Sequence, residues 1–140
     1  MRKHEETNGL QPQKTFLIVI YSKKATFIYM EVLTEIVKEN FKAISQYENQ
    51  PIFFFRYNQK ETEYGSIICN EITLIIKNAT YESMVSALIG VKYTIDAQLA
   101  LLYNYQSDSE TYGEDMRTYQ DWRNYCKESA REFFGIKEEN

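Results

Sequence analysis

The spacing of apolar residues changes character at Thr80, and that change makes the chain mostly strand, with one helix, before it and helical after it. Before it, apolar and β-branched residues come in short continuous runs; beyond it they recur every three or four positions. The run TFLIVIY, from Thr15, reads as a strand closed by a turn at Ser22-Lys23-Lys24, and TFIYM (residues 26–30) returns as the second strand of a hairpin. Between Met30 and Ile44 the apolar positions Met30, Leu33, Ile36, Val37, Phe41 and Ile44 follow helical spacing. Glu35–Lys38 and Glu39–Lys42 then pair on the opposite face of that helix. A strand over 26–33 competes with its start. Pro51 opens a further apolar run, IFFFRY; NQKETEYG reads as a turn or long hairpin loop, and GSIIC and EITLIIK as two more strands.

Thr80 is a fitting N-cap with Glu82 in the first turn behind it, and Met84, Val85, Leu88 and Ile89 fall on one face. Thr94 repeats the device, with Asp96 in its first turn and Ile95, Leu99, Leu102 and Tyr103 as the apolar side. QSDSETYG reads as a polar connector. A last helix is expected from near Glu114 to Gly135, a natural helix-ending residue, with Met116, Tyr119, Trp122, Cys126, Ala130 and Phe133 on its apolar side. The expectation is an α+β chain: a polar tail over 1–13, a strand-rich part with one helix over 14–79, a helical part of the same single domain over 80–135, and a short tail over 136–140.

With 140 residues and 44% hydrophobic content the chain has ample material for a core, and its 5 Gly and 2 Pro leave most of it for regular elements. Net charge is −4, and residues 107–140 hold the excess, with 5 Lys/Arg against 9 Asp/Glu. Phosphate binding calls for clustered Lys and Arg, and only Arg2-Lys3 and Lys23-Lys24 stand together, so nucleic acid and acidic membrane surfaces are disfavoured as partners. No apolar run approaches the ~18–20 residues of a membrane span. The opening MRKHEETNGLQPQ is too polar for a secretory signal, which makes the sequon Asn78-Ala79-Thr80 a chance match.

Candidate chemistry is sparse. His4 is the single histidine and lies in the tail, while Cys69 and Cys126 stand far apart, so a zinc site lacks ligands and the cysteines read as buried apolar residues. Gly65, Gly90, Gly113 and Gly135 are isolated and form no phosphate loop. Asp108, Glu110, Glu114 and Asp115 make the densest acidic patch, placed where a helix start favours acids. No cofactor and no metal site is expected, and no enzymatic role. The unusual total is the aromatic share of 15%, with 12 Tyr. Trp122, flanked by Tyr119, Arg123 and Tyr125, gathers the residue types enriched at binding hot spots, and these four are the candidate partner-binding residues; packing of Trp122 onto the rest of the fold is the competing role.

The stretch ATYESMVSALIGVKYTIDAQLALLYNYQSD, followed by YQDWRNYCKESARE, resembles the C-terminal part of small proteins encoded by tailed phages of gut Bacteroidetes, including the crAss-like group. The resemblance implies a virion structural or accessory component (capsid accessory, head-fibre or tail-associated), made in the bacterial cytoplasm and joined to other virion subunits as a homo- or hetero-oligomer. It brings no catalytic motif. Two other readings stand beside it. One is a small intracellular regulator or inhibitor of a host protein, whose acidic C-terminal third meets a basic surface. The other is a carboxylate enzyme using a divalent metal, testable by Mg²⁺ or Mn²⁺ titration.

Overall fold

A computed structural model describes residues 15–21 and 26–137. The tail over 1–13 with His4, the turn at 22–24 and the acids Glu138 and Glu139 lie outside the described residues. The chain is α+β and divides into two compact units, Met1–Asn78 and Ala79–Asn140.

The first unit is a five-stranded antiparallel sheet. Its strands are β1 (Thr15–Tyr21), β2 (Thr26–Val37), β3 (Ile44–Gln46), β4 (Ile52–Glu61) and β5 (Ser66–Ile75), in the spatial order β1-β2-β5-β4-β3. The expected hairpin forms, with Thr15 opposite Val32 and Tyr21 opposite Thr26. The expected helix over 30–44 does not form. Residues 26–37 are strand throughout, followed by a single 3-10 turn at Lys38–Asn40. Two features explain the correction. Val32, Thr34, Ile36 and Val37 are β-branched, stiff at χ1 and suited to a pleated surface. The strand also lies between β1 and β5 and exchanges hydrogen bonds with both, which a local helix could not match. The partners of the expected helical ion pairs change with it. Glu35 accepts a hydrogen bond from the Ser66 hydroxyl and Lys38 pairs with Glu61.

The first half of the supposed long loop NQKETEYG is also strand, and only its second half turns. β4 runs on to Glu61, and GSIIC and EITLIIK belong to one strand, β5. The register of β4 slips between Tyr57 and Lys60. Asn58 lies there with φ 57°, the left-handed conformation Asn tolerates better than most residues, and the extra residue makes a bulge. At the turn that follows, Gly65 has φ 77° and accepts a hydrogen bond at its carbonyl from the Lys38 amide. A left-handed residue there costs glycine nothing.

Register assigns the core to both faces of the central strands. Val32, Thr34, Ile36, Ile67, Cys69, Glu71, Phe54 and Arg56 share one face, and Phe53, Phe55, Tyr57, Ile72 and Leu74 the other; all are buried. A strand covered on both sides reads as a continuous apolar run, as in Phe53-Phe54-Phe55. Arg56 interrupts that run at 2% exposure, directly opposite Glu71 at 1%. Its Nε donates to Glu71 Oε2 at 2.7 Å, and its Nη1 to the Lys42 carbonyl at 3.0 Å, tying β5 and the segment before β3 to β4. On the opposite face the Tyr57 hydroxyl donates to Glu31 Oε1 at 2.6 Å.

Thr34, 1% exposed, has no hydrogen-bond partner for its hydroxyl among the described residues. Burying an unmatched hydroxyl costs about 1–3 kcal/mol, so Thr34→Val is expected to raise stability by about 1 kcal/mol in urea titration. A loss of more than that size would show that the hydroxyl has a partner.

Candidate interaction surface

The second unit holds α1 (Tyr81–Gly90), α2 (Ile95–Ser107) and α3 (Ser109–Phe134). Each helix start is fixed by a local oxygen. Thr80 Oγ1 accepts from the Ser83 amide at 3.1 Å, and the Ser83 hydroxyl accepts from the Thr80 amide at 2.8 Å, completing a capping box. Thr94 Oγ1 accepts from the Ala97 amide at 3.1 Å. Asp108 Oδ1 accepts from the Thr111 amide at 3.1 Å.

That last contact corrects the expected connector. α2 continues to Ser107, Asp108 alone separates the two helices, and α3 begins at Ser109 rather than near Glu114. The run SDSETYG lacks apolar periodicity, so it reads as loop; a cap followed by Glu110 in the first turn is enough to start the helix. The α3 end is as expected. Gly135 has φ 67° and donates to the Glu132 carbonyl, and the Ile136 amide donates to that of Arg131.

The Thr111 contacts hold the Asp108 carboxyl below its ordinary value of 3.8. A group whose folded value is depressed stabilises fully above its unfolded value and loses that contribution as pH falls through the folded one. Helicity of the α2–α3 junction is therefore expected to fall below about pH 4. Asp108→Asn, which keeps a capping oxygen, is expected to flatten the circular-dichroism titration in that range. An unchanged titration in the variant would remove Asp108 as its source.

The four candidate binding residues are largely occupied within this unit. Trp122 is 7% exposed; its Nε1 donates to the Ile89 carbonyl at 3.2 Å, joining α3 to the end of α1. Lys92 Nζ lies 4.2 Å from the Trp122 ring centre, and Tyr125, half-buried, stacks on the same ring at 6.0 Å. Tyr119 is 3% exposed, donates from its hydroxyl to Gln98 Oε1 at 2.6 Å and meets the Tyr93 ring edge-on at 4.9 Å. Arg123, half-buried, lies 5.8 Å from the Tyr119 ring and donates to Gln120 Oε1. The structure thus gathers them along α3, where Trp122 and Tyr119 fasten it to α1 and α2.

Burial shifts two further groups here. Tyr93 is raised by burial, with Asp115 and Tyr119 adding to it. Cys126, 0% exposed, has its thiol pushed up to about 12 by burial, against a small opposing effect of Lys92. Only the thiolate attacks disulfide reagents. Native protein at pH 8 is therefore expected to resist a thiol-reactive dye at both buried cysteines, and to label at both once unfolded. Rapid labelling of one thiol in native protein would contradict this packing.

The exposed apolar surface lies elsewhere. α2 has no buried residue, and it presents Ile95 at 74% exposure, Leu99 at 60%, Leu102 at 45% and Tyr103 at 71%. These are the residues whose spacing marks the apolar side of the helix. Periodicity finds such a stripe but carries no information on whether the chain itself covers it. The side turned to α3 is half-buried and mixed, with Gln98, Leu101 and Asn104. Among the described residues no group of three or more His, Cys, Asp or Glu is arranged to hold a metal ion. No single helix among them is long and apolar enough to cross a membrane; α1 and α2 reach that apolar length only together, across a 79° bend. No family model matches the chain, nor does any curated protein or solved structure.

Proposed function

We propose that this chain works by binding protein, as a structural or accessory subunit of a tailed-phage particle assembled in the bacterial cytoplasm. The binding part of this reading is carried by α2, which turns Ile95, Leu99, Leu102 and Tyr103 outward. Isolated exposed apolar residues are ordinary on a protein surface; a contiguous stripe of them marks an interaction site. The virion part rests on the resemblance of residues 79–108 and 119–132 to small phage proteins. A particle presents each surface many times, so modest affinity at each contact suffices. Mass spectrometry of purified particles is expected to find the chain in stoichiometric amount. Its absence from particles, with abundance in the lysate, would sink the virion reading.

A further inference from the structure

We propose that α2 pairs with α2 of a second copy of this chain, antiparallel, about a two-fold axis passing between Leu99 and Leu102. This deepens the protein-binding reading above by naming the occupant of its surface, and it rests on that reading.

The distribution of residues around α2 is the reverse of an ordinary surface helix. Its inner side carries Gln98 and Asn104 beside Leu101, and its outer side carries the larger apolar groups. Ile95, Leu99 and Leu102 follow the four-then-three interval that sets knobs into the holes of a facing helix, and Gln106 continues it. In an antiparallel pair about this axis Leu99 meets Leu102 of the other copy, and Ile95 meets its Gln106. Tyr103 closes one flank of the seam.

Charge argues for self-pairing and for the direction. In a chain of net charge −4, α2 carries one charged residue, Asp96. An unlike partner is usually selected by complementary charge, and this stripe offers almost none. Two such stripes meet without like-charge repulsion, provided the two Asp96 side chains stay at opposite ends. Antiparallel packing keeps them apart and also opposes the helix dipoles, whereas parallel packing brings the acids together.

Area sets the strength. The exposed stripe amounts to on the order of 500 Å² per copy, at the upper end for a lone monomer patch. Two copies then bury on the order of 1,000 Å², at the lower limit for a specific interface. A dimer that forms and dissociates with concentration follows.

Sedimentation velocity on the full chain over a wide concentration range tests this. The expected wild-type result is a shift from 16.6 kDa monomer to twice that mass. Leu99→Lys with Leu102→Lys is expected to weaken association at least tenfold with unchanged helical circular dichroism, because both sites are exposed. Leu99→Cys should cross-link to itself through a short bismaleimide and Ile95→Cys should not. A mixture of Ile95→Cys and Gln106→Cys should cross-link efficiently; wild type, with two buried cysteines, gives the background. A wild type that stays monomeric throughout, a dimer that survives the double lysine variant, or efficient self-linking of Ile95→Cys would each overturn the proposal. A monomeric chain that is still found in particles would end only this inference. A dimeric chain absent from particles would end only the virion reading.

Discussion

Arg56→Ala is expected to lower unfolding stability by about 3–5 kcal/mol, measured by urea titration of the intact chain. The size follows from what remains rather than from what is lost. Glu71 is 1% exposed and its carboxylate would stay in the core with its guanidinium partner gone. The same substitution removes the side-chain donor to the Lys42 carbonyl, leaving the segment before β3 held by the backbone bond from the residue-56 amide to the Ala43 carbonyl. A folded domain is stable by only about 5–15 kcal/mol, so this change approaches the whole margin. The double variant Arg56→Met with Glu71→Leu is expected to recover most of it, because an apolar pair of similar volume carries no desolvation penalty. If the double variant were as unstable as the single one, the loss would lie in packing of the strand and not in a stranded charge.

Trp122→Ala is expected to cost about 3–5 kcal/mol, read by the loss of helical circular dichroism on heating. The indole is buried, its N–H is satisfied by the Ile89 carbonyl, and both Lys92 and Tyr125 lie against its ring. Truncation opens a cavity between α1 and α3 and removes the indole donor from that carbonyl, which keeps the Lys92 and Tyr93 amides. Trp122→Phe restores most of the volume without the N–H and is expected to cost far less, about 1–2 kcal/mol. A melting temperature unchanged in Trp122→Ala would show instead that the ring is spare for a partner. Substitutions at Leu99 and Leu102 are expected to behave in the opposite way, altering association and sparing stability, since those side chains face outward.

These two expectations mark where local sequence is informative and where it is not. Helix starts at Thr80 and Thr94 and the end at Gly135 are legible because a cap is a contact within one turn of chain. The buried side of α3 is legible for a similar reason: Met116, Tyr119, Trp122, Cys126 and Ala130 recur at an interval that only a helix brings to one face. Residues 26–37 misread as partly helical because their apolar positions satisfy both periods. The choice was made by β1 and β5, and β5 does not begin until Ser66, beyond two intervening strands.

The sequence by itself determined a strand-rich part followed by a helical one, the caps at Thr80, Thr94 and Gly135, and which side of each helix is apolar, since all of these follow from interactions between near neighbours. The tertiary structure alone decided that Arg56 meets Glu71, that β4 is covered on both faces, and that Trp122 closes a core while Leu99 does not. Each of those depends on which distant segment arrives beside a residue, and a residue's identity says only what kind of neighbour it needs.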